Sequence, residues 1–202
     1  MNIFSFMYLC AMRVRDAQKI ELVHAATLTL VARIGLVGLT IPMIAKEAGV
    51  AAGTIYIYFK NKEDLILEVY KEVKKRFRSK VFSDYSPEKP IKETFRKMWD
   101  NLLSYSVSNY QEQIFLQQFN ISPYIREKET LSFTKQVLNP LLEVIHAGQK
   151  QDLIKNDPES LILQLLFGFA NQLAPLIHEN PGMLSKDFTA TTFGYFWDAV
   201  KK

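Results

Sequence analysis

The chain has 202 residues, 48% of them hydrophobic and 12% aromatic, which suits a packed core and excludes a disordered polar chain. Its single cysteine, Cys10, excludes a disulfide framework or a thiolate metal cluster and fits a reducing cytoplasm. The net charge of +4 is uneven: residues 1–80 hold 13 Lys+Arg against 7 Asp+Glu, and residues 81–202 hold 12 against 14. That split fits a front that meets a polyanion, and it equally fits an ordinary solvated surface.

The opening stretch MNIFSFMYLCAM is apolar but has neither a charged leader nor a small-residue cleavage site. About a dozen residues cannot span a bilayer, so no membrane role is expected. Residues 1–12 read as an N-terminal extension, with Met12 an alternative start. The helical pattern begins at Arg13. Ile20, Val23, Thr27, Leu30 and Ile34 recur at the spacing of one buried face, and Gly35 and Gly38 end the run.

Thr40 then offers a hydroxyl cap for a second helix, with Pro42 in its first turn. Ile41, Ile44, Ala45 and Ala48 form the inner face, and Gly49 supplies a left-handed stop. A third short helix is expected from Ala52 to Phe59, which makes residues 13–62 a helix-turn-helix unit. The next helix, 61–80, carries Leu65, Val69, Val73 and Phe77 on one side and is the covalent link to everything downstream. Ser86-Pro87 and Pro90 mark a break. Helices follow at roughly 91–109, 111–122, 124–138, 140–152, 158–179 and 185–200, with Asp157 as a cap and Pro158 opening its helix. No strand alternation persists, so the expected fold is all-α, with residues 63–202 forming a helical second domain.

In the stretch GTIYIYFKNKEDL, residues 53–65, Ile55 and Phe59 point together into a small core with Val50. Thr54, Tyr56, Ile57 and Tyr58 spread over the remaining faces beside Gly53, which lets a partner backbone approach closely. Hydroxyls and Lys62 suit phosphate oxygens, and Ile57 suits a thymine methyl in a major groove. Tyrosines that merely cover the small core fit these side chains equally well.

The run from Thr40 through Ala45-Lys-Glu-Ala-Gly-Val50, followed by Gly53-Thr-Ile-Tyr-Ile-Tyr-Phe59 and Asn61-Lys-Glu-Asp64, resembles the DNA-binding domain of the TetR family of transcriptional repressors. The likeness is strong over residues 16–70 and weak beyond. It implies that Thr40 caps the second helix and touches a phosphate. It also implies that Thr54, Tyr56 and Tyr58 hold the backbone around the recognition helix, and that Lys62 grounds the fourth helix on DNA. Ala52 and Ile57 take the family's base-contact or groove-contact positions. Ala51 stands where family members usually carry Ser or Thr, so one cap and one phosphate contact are missing and shape readout gains weight.

The resemblance further implies a homodimer and an inducer pocket in residues 63–202. Leu161, Leu165, Phe169 and Leu173, with Phe193, Phe196, Trp197 and Val200, suit an apolar dimer face, and an intrachain core claims part of that set. For the pocket, Trp99, Leu103, Phe115, Phe119, Phe133 and Phe167 offer apolar walls. Gln117, Gln118, Asn120, Gln164, Asn171 and Gln172 offer amides, a mixture suited to a small, largely uncharged apolar ligand. Glu143 and His146 sit one turn apart as metal ligands do, but three histidines make a poor ligand set, and no metal or cofactor is expected. No nucleophile motif, phosphate loop or paired-carboxylate site supports an enzyme. The expected function is a homodimeric, cytoplasmic repressor that leaves a near-palindromic operator when a small apolar ligand binds. The rival keeps the DNA binding and gives the second domain a protein partner instead.

Overall fold

The structure, a computed structural model, describes residues 3–202, with side chains from Asp16 onward. Helix α1 runs Ile3–Ile34, so its backbone starts ten residues before the expected Arg13. The side chains of the predicted extension lie outside the described residues. Val23, Thr27 and Leu30 are buried as the periodicity requires. Ile34 is not: it is 41% exposed, because the chain turns at Gly35 and Val31 takes the inward place.

Helix α2 spans Ile41–Ala48 and α3 spans Ala52–Tyr58. Gly49 has φ 67°, in the left-handed region where a side chain is penalised. From there the Gly49 amide reaches the Lys46 carbonyl and the Val50 amide reaches the Ala45 carbonyl. Both orphan carbonyls at the end of α2 are thereby satisfied. Ile44, Ile55 and Phe59 are buried in the same core as the inner face of α1.

Helix α4, Lys62–Val81, begins at that head and ends deep in the body. Its buried residues include Leu65, Val69, Val73 and Phe77, the predicted stripe, and also Ile66, Tyr70 and Lys74. The body continues with α5 (Ile91–Ser108), α6 (Tyr110–Asn120), a 3-10 turn (Pro123–Arg126), α7 (Lys128–Lys150), α8 (Glu159–Glu179) and α9 (Lys186–Val200). Among the described residues no strand forms, and one isolated bridge pairs Ile154 with Lys201. Head and body share a single contiguous core.

Pro140 behaves differently from expectation. Pro140 was expected to separate two helices, yet α7 runs through it. A proline there removes the amide that would bond the Gln136 carbonyl. Arg78 of α4 takes over: its guanidinium donates to the carbonyls of Gln136 and Val137 at 2.8 and 2.9 Å. Pro175 inside α8 similarly orphans the Asn171 carbonyl, which accepts a long 3.5 Å bond from the Gln117 amide. A neighbouring helix rescues each break. At the start of α8 it is Pro158, not Asp157, that occupies the cap position, its carbonyl accepting from the amides of Leu161 and Ile162.

Candidate nucleic-acid interface and ligand site

The short α3 presents the face foreseen from its sequence. Tyr56 and Ile57 are 58% and 74% exposed, large apolar groups left in water that no intrachain contact explains. Gly53 is exposed as well, and a methyl added there would meet nothing within 4 Å. Packing therefore gives no reason for a glycine that costs helix stability, whereas close approach by an outside partner does.

Thr40 holds the cap position of α2 with extended backbone, but its hydroxyl makes no cap bond. The predicted capping role is corrected, and the hydroxyl is left exposed. Ala51 is the cap residue of α3 and can offer no side-chain acceptor. Thr54 and Ala52 are half-buried at the foot of the helix. Tyr58 is partly covered, and its hydroxyl donates to Asp16 at 2.6 Å. That bond raises the phenol above its ordinary range and ties α3 to α1, a partner the sequence did not reveal. In this conformation the hydroxyl is engaged within the chain.

Lys62 is the first residue of α4. Just before it, Asn61 accepts from the Asp64 amide at 2.8 Å while Asp64 accepts from the Lys60 amide at 2.9 Å. This reciprocal capping pins the helix start and fixes where Lys62 emerges. Glu63 and Asp64 in the same first turn offset part of its charge.

The predicted pocket and dimer residues are sorted by the structure in unexpected ways. Trp99, Leu103, Phe115 and Phe119 are fully buried and fill core volume rather than line an opening. The aromatic ones divide between two clusters, with Phe115 tilted against Phe119. One surrounds α4, with Tyr70 stacked on Phe119 at 3.9 Å, Phe133 edge-on to Tyr70, and Phe167 tilted against Phe77. The other surrounds α9, with Trp99 between Phe169 and Phe196 and its indole N–H bonded to Thr192. Asn171 accepts from the Gln113 amide, so it is already satisfied. Gln164 faces solvent on α8. Gln118 points the other way, to the head: its Oε1 accepts the Leu36 amide at 2.6 Å and its amide reaches the Val31 carbonyl.

On α8, Leu161 and Leu165 are exposed, Phe169 and Leu173 are half-buried, and Leu176 extends the same face. On α9 the expectation fails. Phe193, Phe196, Trp197 and Val200 all point into the protomer's own core, because α9 must cover Phe95 and Trp99. A cleft of about 730 Å³ lies between α5 and α9 over Phe193 and Trp197. Its rim alternates Lys92, Arg96 and Lys97 with Glu93, Asp100 and Asp198. His146 bonds Glu159 at 2.9 Å while Glu143 takes the Tyr85 hydroxyl, so the Glu-x-x-His spacing holds no ligand pair. Among the described residues no cluster of three metal-ligating side chains forms.

A short exposed reader on a helix-turn-helix head, mounted by one long helix on an all-α body, is the architecture of a DNA-binding regulator. Residues 23–69 match the bacterial regulatory proteins of the tetR family, and residues 90–201 match the tetracyclin repressor-like C-terminal domain. An HTH-type transcriptional regulator of Haemophilus influenzae is 32% identical over 192 residues, covering 95% of this chain and all of that one. A TetR family transcription regulator from Marinobacter aquaeolei superposes with a TM-score of 0.86 at 25% identity, over 94% of this chain and 99% of the other. The fatty acid metabolism regulator protein of Bacillus subtilis is 32% identical over 62% of this chain and 66% of its own length. The chain belongs to the TetR family and is a DNA-binding transcriptional regulator.

Proposed function

We propose that the chain is a cytoplasmic homodimeric repressor that leaves a near-palindromic operator when a small, largely apolar ligand enters its body domain. The observation that carries this reading is α4, whose first residue belongs to the reader and whose buried face belongs to the body core. Anything that repacks the body moves the reader. Thr40, Gly53, Thr54, Tyr56 and Lys62 touch phosphates and backbone, Ala52 and Ile57 face the groove, and Tyr58 joins them by exchanging Asp16 for DNA.

For the dimer, α8 supplies the support. Its window of membrane-like hydropathy is only 33% buried, and its leftover stripe of Leu161, Leu165, Phe169, Leu173 and Leu176 needs an apolar cover. A second copy meets that need with an identical stripe. The likeness to a fatty acid metabolism regulator protein favours an apolar ligand.

The test is thermodynamic linkage. A ligand found by thermal shift should weaken operator binding, measured by fluorescence anisotropy, about 5–150-fold per site, and saturating operator must weaken ligand binding by the same factor. A ligand that binds equally with and without operator is no inducer, and the protein-partner reading then takes its place.

A further inference from the structure

The seven residues of α3 include a glycine and three β-branched side chains, a poor choice for helix stability. The core accounts for Ile55, which is fully buried. It does not account for Ile57, which is 74% exposed and serves neither packing nor propensity. Gly53 lies one turn earlier on the same side of the helix, also exposed, with open space where a Cβ would stand. Gly53 and Ile57 therefore form the middle of the outward face, opposite Ile55. Tyr56, exposed, and Thr54, half-buried, lie to either side of that line.

Hydrogen-bonding side chains thus occupy the flanks of α3, and the centre has none. In a major groove the flanks of an inserted helix meet the phosphate walls, and its centre meets the base edges. A side chain with neither donor nor acceptor cannot tell the hydrogen-bonding patterns of those edges apart. One feature of a base edge does answer an isoleucine: the methyl on C5 of thymine, which projects into the major groove. The missing side chain at Gly53 lets the helix backbone approach closely enough for Ile57 to reach it.

We infer that α3 reads thymine methyl groups, with Ile57 as the specificity-determining residue, and that its operator is set by methyl positions rather than by hydrogen bonds to base edges. This deepens the reading of α3 as the DNA reader and rests on it. Thr54 and Tyr56 fit phosphates of any sequence, and the Tyr58 hydroxyl is held by Asp16 at 2.6 Å, so none of the three competes for the base edge. 5-Methylcytosine carries the same methyl at the same ring position, so it should stand in for thymine beneath Ile57.

The experiment uses the full chain and the duplexes that it enriches from random DNA. Each dT is replaced in turn by dU, which keeps the pairing edge and removes only the methyl, and affinity is read by fluorescence anisotropy. Wild type should bind about 4-fold more weakly for a methyl lost beneath Ile57, the equivalent of one buried methyl group, and equally well at other positions. At the sensitive positions 5-methyl-dC·dG should bind about 4-fold tighter than dC·dG. Ile57→Ala should lose both preferences, Ile57→Val should keep most of each, and Tyr56→Phe should weaken dT and dU duplexes alike. Ile57 lies outside the core, so its variants should fold, which thermal melting checks. A dU duplex bound as tightly as the dT duplex at every position overturns the inference. So does a dT preference that Ile57→Ala retains, which would assign it to duplex shape. Either result with an enriched sequence leaves α3 as the reader and removes only the methyl contact. If no sequence is enriched, the inference and sequence-directed repression fall together.

Discussion

Most of what the sequence hides lies in single side chains that make long-range bonds. Tyr58 was legible as a surface tyrosine, but its partner Asp16 is 42 residues away and no local pattern reports it. Lys74 was legible in principle: Ile66, Tyr70, Phe77 and Val81 form a buried row on α4, and a lysine interrupts that row at helical spacing. Ala51 leaves α3 without a side-chain cap, and its backbone at φ −69° and ψ 143° is cap geometry. Ala51→Ser should therefore stabilise the protein by about 1 kcal/mol or less, seen as a small rise in Tm; no rise would show that the site cannot use a hydroxyl. Lys62→Ala should weaken binding to specific and random duplexes alike. In a dimer it should shallow the slope of log K against log salt by roughly 2, and an unchanged slope would place Lys62 off the phosphate path.

At the scale of elements, the helix-turn-helix was legible because every signal is local: a proline in the first turn, a glycine stop, an inner face at helical spacing. The body was legible as a run of helices but not at its prolines: six helices were expected after α4, and five α-helices form. Pro140 reads as a break because local chemistry makes it one, and α7 continues only because Arg78, 62 residues earlier, satisfies the freed carbonyl. Removing that donor should expose the cost. Arg78→Ala should destabilise the protein by about 1 kcal/mol, a value lowered from that of a buried charged bond because Arg78 is largely exposed. Amide exchange should rise in the first half of α7 and stay unchanged in its second half. Uniform exchange along α7 would mean that Pro140 needs no rescue. The same reasoning explains α9: its aromatic residues were ambiguous between a dimer face and a core, and only the position of Trp99 and Phe95 decides that they turn inward.

For the whole molecule, the two halves communicate through more than the chain connection. Helix α4 is continuous between them, and Gln118 of α6 fastens the turn after α1 by the amide of Leu36 and the carbonyl of Val31. Arg76 on α4 pairs with Glu112 on α6 at 2.8 Å, so α1, α4 and α6 are tied to one another. The reader is small and carries two alanines at its entry, so a single copy grips few bases, and useful specificity requires two copies on one site. The most direct test is to select bound sequences from random duplex DNA and footprint the winner with hydroxyl radicals. The expected result is a near-palindrome with two protected half-sites whose centres are one helical turn apart, ~34–36 Å, or a multiple of it, bound by an even number of protomers. A single asymmetric protected patch bound by one protomer, or no enriched sequence, would contradict it.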